Sequence, residues 1–350
     1  MNALPTTMRG VWLTGHGGAD KLEVRDDILV PQPGMHDVIV KVAAAGINNT
    51  DINTRTAWYS KQNPDDPDGS WAGQPLQFPR IQGADVCGHI VAAGKKVSVN
   101  RIGERVLVEP CLREANAQIL EPPWYLGSEC DGGFAEYVRV ASRHARSINS
   151  SYSDIELASF PCAYTTAENM LTRAQVNTNE HVLVTGASGG VGSAAVQLAK
   201  ARGAEVTAVT SAEKFAALQA LGATRTLARE DSVIDVLGKN SVDVVIDLVG
   251  GPQWPALLEV LKRGGHYAIS GAIAGPMVAL DLRSLYLKDL SLFGCTVLEA
   301  EVFPNLLAHI ENKRIKPVIA ETFPLAKIVE AQSAFLSKKY VGKIVLVIDS

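Results

Sequence analysis

The 350-residue chain reads as an α/β protein of two domains, a β-rich unit and a doubly wound parallel sheet, on three observations. The first is Glu180 to Ala201, EHVLVTGASGGVGSAAVQLAKA, where a buried strand, a glycine turn and a helix start follow one another. The second is the strand and helix alternation beyond it. The third is the series of short strands and glycine turns that fills the first 150 residues.

Taken in order, Val38 to Ala43 alternates as VIVKVA, Val86 to Ala92 and Arg105 to Glu109 are short β runs, and Phe134 to Val140 alternates as FAEYVRV. Gly34, Gly83, Gly88, Gly94 and Gly103 punctuate them, as in a small barrel-like domain. Ser60 to Pro79 and Leu112 to Gly127, the latter with Pro122 and Pro123, read as long loops. Trp58, Tyr59, Trp71, Trp124 and Tyr125, in and beside them, either line a pocket or pack the loops against the protein. From Asp154 the pattern changes. Ala163 to Arg173 is helical and leads into the glycine-rich strand; AEKFAALQALGA follows as helix, VDVVIDLVG as strand, PALLEVLKRG as helix and HYAISG as strand. Such alternation predicts a parallel sheet with right-handed crossovers. After Lys316 come IKPVIAETFP, a helix in LAKIVEAQSAFLSK and a last strand, GKIVLVID, expected to return to the first domain. The expected division is 1–155 with 318–350, and 156–317.

Composition narrows the function. With 47% hydrophobic residues, a formal net charge of -4 and no basic run, the chain is not expected to bind nucleic acid or an anionic membrane. MNALPTTMRGVW has no apolar signal region, and no later apolar run approaches the roughly 18 residues of a membrane span, so a cytoplasmic location is expected. The five cysteines, Cys87, Cys111, Cys130, Cys162 and Cys295, are odd in number and scattered without CxxC, which argues against a disulfide framework.

The glycine turn points to a dinucleotide. Val182 to Val184 form the strand; Gly186, Gly189, Gly190 and Gly192 let the backbone approach a pyrophosphate, and the helix from Val191 aims its free N–H groups at the anion. Gly186, Ala187, Ser188, Gly189, Gly190 and Val191 are therefore the expected phosphate contacts. A second strand, EVTAVT, ends at Thr210 and Ser211, where an NAD-binding fold usually carries an acidic residue for the ribose hydroxyls. Ser211 brings no charge to repel a 2'-phosphate, and Lys214 offers a positive one. NADP(H) is favoured on this pairing; the alternative is that Lys214 is an ordinary solvated helix residue.

With those residues in view, AAAGINNTDINTR at Ala43 to Arg55, QGADVCGHIVAAG at Gln82 to Gly94, GERV at Gly103 to Val106, DGGFAEYV at Asp131 to Val138, TGASGGVGSAAVQLAK and the terminal GKIVLV occur in one order. Together they resemble the medium-chain dehydrogenase/reductase superfamily, in its zinc-independent quinone oxidoreductase branch. The resemblance implies a GroES-like catalytic domain and a Rossmann domain with the active site in a cleft between them. It also implies backbone contacts to nicotinamide around Val249 and Ser270 to Gly271, a 2'-phosphate contact from Arg229, and a homodimer formed through the edge strand at Phe293 to Cys295. Asn48 is similar to a polar residue that faces the nicotinamide ribose or the substrate oxygen, and Tyr59 to an active-site tyrosine. Zinc-dependent relatives carry Cys, His and Cys where this chain carries Asn48, Ala84 and Cys162, so no catalytic metal is expected.

These features imply an NADPH-dependent, metal-independent reductase of quinones or α,β-unsaturated carbonyl compounds. Two alternatives stand beside it: a zinc alcohol dehydrogenase using atypical ligands such as Cys162 and Asp85, and a non-catalytic NADPH-binding protein of the crystallin kind. Simpler roles are also open for single residues. Asn48 can satisfy a turn and Tyr59 can anchor a loop; Asp51 and Asp85 can organise backbone; Arg55 can pair with either; His16, His89 and His144 read as structural, and Cys162 as a small buried side chain.

Overall fold

The structure, a computed structural model, describes residues 4–60, 70–73 and 75–348. The chain forms two compact units, one of Met1–Cys162, Ile319–Lys339 and Lys343–Ser350, the other of Ala163–Val318 and Tyr340–Gly342.

The second unit is built on six parallel strands. Their spatial order is Arg225–Ala228, Glu205–Thr210, His181–Val184, Val242–Asp247, Leu261–Ile269 and Ser291–Gly294. Numbered along the chain this is 3-2-1-4-5-6, the doubly wound dinucleotide-binding order, whose reversal point lies beside His181–Val184. Val182, Leu183 and Val184 are completely buried, as expected for a central strand covered on both faces. Leu183, Val245, Leu257, Leu258, Leu261 and Tyr267 belong to one apolar cluster under the sheet. Trp254 meets Tyr267 edge to face at 4.7 Å, worth about 0.5–1.5 kcal/mol beyond burial.

One helix is shorter than the sequence pattern implied. PALLEVLKRG was expected to be helical throughout, yet the helix Trp254–Val260 gives way to the strand Leu261–Ile269. Leu261, at φ −64° and ψ 136°, is already extended and ends the helix, and the Lys262 ammonium reaches Asp243 on the neighbouring strand at 2.8 Å. The register between these strands shifts between Val242 and Val244, where the extra residues are absorbed.

In the first unit, a sheet runs Ala145–Ser147, Arg105–Val108, Cys87–Ala93, Asp37–Gly46, Lys343–Val347 and Ile319–Pro324, with Tyr137–Ala141 also paired to Asp37–Gly46. Lys343–Val347 runs antiparallel to Asp37–Gly46 and places Val345 opposite Gly46. A three-stranded sheet joins Leu22–Leu29, Thr7–Leu13 and Arg80–Ile81.

Leu112 to Gly127 is largely not a loop. Cys111–Ala115 and Gln118–Tyr125 form an antiparallel hairpin, in which Leu112 faces Trp124 and Glu114 faces Ile119. The register shift between those pairs leaves Pro122 and Pro123 opposite no ladder partner, so their missing N–H groups cost nothing. A buried His144 supports the hairpin. Its Nε2 accepts from the N–H groups of Arg113 and Glu114, both at 3.1 Å, and Nδ1 meets Glu109. Within Ser60 to Pro79, residues 61–69 and 74 lie outside the described residues. No helix among the described residues is long and apolar enough to cross a membrane.

The turn glycines differ sharply in what they tolerate. A Cβ on Gly192 would lie 2.3 Å from the Gly186 carbonyl oxygen and 2.6 Å from Ala187 Cα, whereas one on Gly189 would meet nothing nearer than 3.6 Å. Gly192→Ala is therefore expected to destabilise the protein by about 2 kcal/mol or more, because backbone atoms must move. Gly189→Ala, with φ −71° already open to alanine, is expected to stay within about 1 kcal/mol of the parent. Urea unfolding of the two variants tests the contrast.

Candidate active site

The strand Asp37–Gly46 runs directly into the short helix Asn49–Arg55, and the polar groups of the first unit gather at that junction. Gly46 allows the crowding, since a Cβ there would lie 2.5 Å from Asp85 Oδ2 and 2.8 Å from the Ala158 carbonyl oxygen. Asp85 is wholly buried. Its Oδ1 accepts from the Cys162 N–H at 2.5 Å, and its Oδ2 accepts from Asn48 Nδ2 at 2.8 Å and from the Lys343 ammonium at 2.7 Å. Lys343, with 3% exposure, also donates to the Ile47 carbonyl oxygen at 2.9 Å and to Asn48 Oδ1.

The Asn48 amide is thus engaged on both sides, its Oδ1 by Lys343 and its Nδ2 by Asp85 and, at 3.4 Å, the Gly46 carbonyl. Asp51 lies beneath it. It accepts from the Asn48 N–H at 2.7 Å and from the Gly83 N–H at 3.2 Å. Burial pushes its carboxyl up to about 7 against those bonds and the Lys343 charge. Arg55 pairs with neither Asp51 nor Asp85 in the observed bonding; it donates to Gln332 Oε1 at 3.1 Å and to the Gly17 carbonyl at 2.7 Å.

Two tyrosines stand near Cys162. The half-buried Tyr59 hydroxyl donates to Thr50 Oγ1 at 3.2 Å and accepts from Asn53 Nδ2 at 3.5 Å. Burial raises its phenol, with smaller contributions from Cys162 and Asp51, so it is protonated at neutral pH. Tyr125 touches Cys162 Sγ through its hydroxyl at 3.0 Å and lies against Trp71, ring centroids 4.9 Å apart. Burial and then Asp85 push the Cys162 thiol up to about 12.

This donor set does not fit zinc. The Asn48 amide is already committed to an ammonium and Ala84 offers only a methyl, so Cys162 is left as the one thiol where a catalytic zinc needs three protein ligands. Lys343 supplies the positive charge beside Asp85. Among the described residues no three His, Cys, Asp or Glu side chains form a group able to hold a metal ion.

The second unit fits a dinucleotide. Gly189 caps the helix Gly190–Ala201, and the space beside its Cα is open to within 3.6 Å. Ala187 N–H is held by the Val209 carbonyl at 3.1 Å, Ser188 is buried with its carbonyl accepting from Gly342, and Val191 lies in the first helical turn. At the end of Glu205–Thr210, the Thr210 hydroxyl is buried without a hydrogen-bond partner, an atom that a ribose or phosphate oxygen would satisfy. Lys214 is brought near Arg229, as its ammonium is shifted down first by burial and then by that guanidinium. Ser211 donates to Glu213 Oε1 at 2.5 Å, so a carboxylate stands at this strand end after all.

The turn after Val242–Asp247 is organised by a residue that sequence reasoning passed over. Buried Asp247 accepts from the N–H groups of Val249 and Gly250, from Thr185 Oγ1 at 2.5 Å and from the Tyr267 hydroxyl. A Cβ on Gly271 would lie 2.7 Å from the Leu248 carbonyl, and Ser270 is tied to the Cys295 carbonyl at 2.7 Å. Lys343, Thr50, Asn53 and Glu213 were also missed. The one available signal for Lys343 was a lysine opening an otherwise apolar strand, KIVLV.

Comparison with known proteins places these features in context. Residues 34–150 match the alcohol dehydrogenase GroES-like domain, and residues 190–312 match the zinc-binding dehydrogenase family. A quinone oxidoreductase of Lama guanicoe is 30% identical over 355 aligned positions, covering 97% of this chain and 98% of that protein. An acryloyl-coenzyme A reductase of Metallosphaera sedula is 30% identical, with 97% and 99% covered. Among solved structures, a putative alcohol dehydrogenase from Sinorhizobium meliloti 1021 shares 43% identity with a TM-score of 0.90, over 99% of this chain and 98% of that one.

The raised Asp51 carboxyl carries a pH signature. Its folded value of about 7 lies above the unfolded value of about 4, so the folded state holds a proton that the unfolded state loses. Its contribution to stability therefore falls as pH rises from about 4 to 7 and then levels. The Tm difference between the parent and Asp51→Asn, measured from pH 4.5 to 8, is expected to shift against the parent across that window; a flat difference would remove this assignment.

Proposed function

We propose a reductase reading that proceeds from one fact: the chain belongs to the medium-chain dehydrogenase/reductase superfamily, in its quinone oxidoreductase-like branch, and is an oxidoreductase. The substrate we infer is a quinone or an α,β-unsaturated carbonyl compound, reduced by hydride from NADPH. The observation that carries this is the Lys343–Asp85–Asn48 cluster, which places an ammonium against Asn48, one of the three positions where the resemblance puts a zinc ligand in zinc-dependent relatives. Without a Lewis acid an alcohol oxygen is not activated for dehydrogenation. An acceptor already polarised by conjugation needs only orientation and hydrogen bonds to the developing enolate.

Bound NADPH supplies the hydride. The chain's own residues supply the rest. The donor series Asn53 to Tyr59 to Thr50 leaves the partly exposed Thr50 hydroxyl with its proton available, and Tyr59 is protonated behind it. We assign these hydroxyls to the substrate oxygen, and Asn48 to holding the junction that carries them.

For the cofactor, Gly186 to Val191 would hold the pyrophosphate, Val249 and Ser270 to Gly271 the nicotinamide end, and Lys214 with Arg229 the 2'-phosphate. The paired cations and the orphan Thr210 hydroxyl support NADP(H). Glu213 on Ser211 favours the second reading, NADH, because a carboxylate there can accept from ribose hydroxyls and repel a phosphate. The names of the two relatives, quinone oxidoreductase and acryloyl-coenzyme A reductase, suit an electron-poor acceptor. A homodimer is assigned to the edge strand Ser291–Gly294, which bears the exposed Leu292 and is preceded by the exposed Tyr286 and Leu287.

The test is oxidation of NADPH and NADH against a ring quinone and a linear enone. Turnover with NADPH is expected, with Tyr59→Phe lowering kcat by about 100-fold. Lys214→Ala is expected to raise KM for NADPH far more than for NADH. Cofactor binding with no turnover of either acceptor favours a non-catalytic protein, and better use of NADH assigns the strand end to Glu213. Light scattering is expected to give twice the chain mass, and Leu292→Lys half of that.

A further inference from the structure

Lys343 has a coordination shell. Its Nζ contacts three oxygens from two places in the sequence: the Ile47 carbonyl at 2.9 Å and the adjacent Asn48 Oδ1, and Asp85 Oδ2 at 2.7 Å. All are hard donors, with one negative charge among them. Each is held independently of the lysine. Asp85 is fixed by the Cys162 N–H and Asn48 Nδ2, Asn48 by Asp51 through its own N–H, and Ile47 by its N–H to the Ile344 carbonyl. An oxygen cluster kept in place by other bonds remains a cluster when its occupant is removed.

We propose that these three oxygens form a site for one monovalent cation, which the chain fills with its own tethered ammonium, and that removing the tether makes the protein depend on free ammonium or potassium. The charge count supports a single positive charge. One carboxylate oxygen and two neutral carbonyl oxygens balance it, whereas a divalent ion would leave an uncompensated buried charge. Carbonyl and carboxylate oxygens suit alkali cations and ammonium. Zinc is disfavoured because its preferred sulfur ligand, the Cys162 thiol, is held by the Tyr125 hydroxyl. The inference is independent of which substrate the protein reduces.

Lys343→Ala opens space for an ion where the side chain lay. Its Tm is expected to fall by about 10 °C, the scale for leaving a buried carboxylate unpaired. Ammonium and potassium chloride should recover most of that loss saturably, while tetramethylammonium chloride at equal ionic strength and zinc chloride should not. The parent should not distinguish the salts. In Lys343→Ala/Asp85→Asn, where the anionic oxygen is gone, ammonium rescue should vanish. If Lys343→Ala is insoluble when expressed, refolding yield in the same salts replaces Tm as the readout. Equal behaviour in ammonium and tetramethylammonium, as folded protein or as refolding yield, overturns the proposal, as does rescue by zinc.

Discussion

A charged amine taken out of water must recover its lost hydration from fixed oxygens, and the first unit is arranged around that requirement at Lys343. The last strand delivers the ammonium to the point where Asp37–Gly46 ends and Asn49–Arg55 begins. Asp85 neutralises it, Asn48 orients toward both, and Gly46 leaves room for the carboxylate. The hydroxyls of Thr50 and Tyr59 are carried by the helix and turn that follow this junction. The cluster therefore links sequence positions some 300 residues apart to the placement of a half-exposed donor pair.

The same economy governs Asp247 in the second unit. A buried carboxylate organises a turn by accepting backbone N–H groups, and a threonine and a tyrosine complete its shell. At the end of Glu205–Thr210 charge is arranged differently. Lys214 and Arg229 approach each other while Glu213 faces Ser211, so both signs of charge follow the strand end at Thr210. Cofactor choice there rests on which sign dominates, a matter of position and not of residue type.

Much of the fold was legible because periodicity reports burial. Val182 to Val184 and the glycines after them could be read directly, since a strand buried on both faces is apolar throughout and Gly192 has no space for a side chain. The hairpin of Cys111–Ala115 and Gln118–Tyr125 was not legible, because two prolines argue against a strand unless they face no partner. PALLEVLKRG misled for the reverse reason. Its helical spacing is real up to Val260, but pairing with Val242–Asp247 and the Lys262–Asp243 bond take over the last residues. For Arg55 the sequence left an aspartate and the substrate equally open, and the fold gives it Gln332, a neighbour 277 positions away.

The sequence by itself determined the strand and helix alternation and the dinucleotide turn, because each is a local matter of residue type and spacing. Only the tertiary structure decided that a lysine opening the final strand supplies the charge beside Asp85, that the Asn48 amide turns inward and that Glu213 stands at Ser211. Those outcomes depend on which groups folding brings within hydrogen-bond distance after water has been excluded.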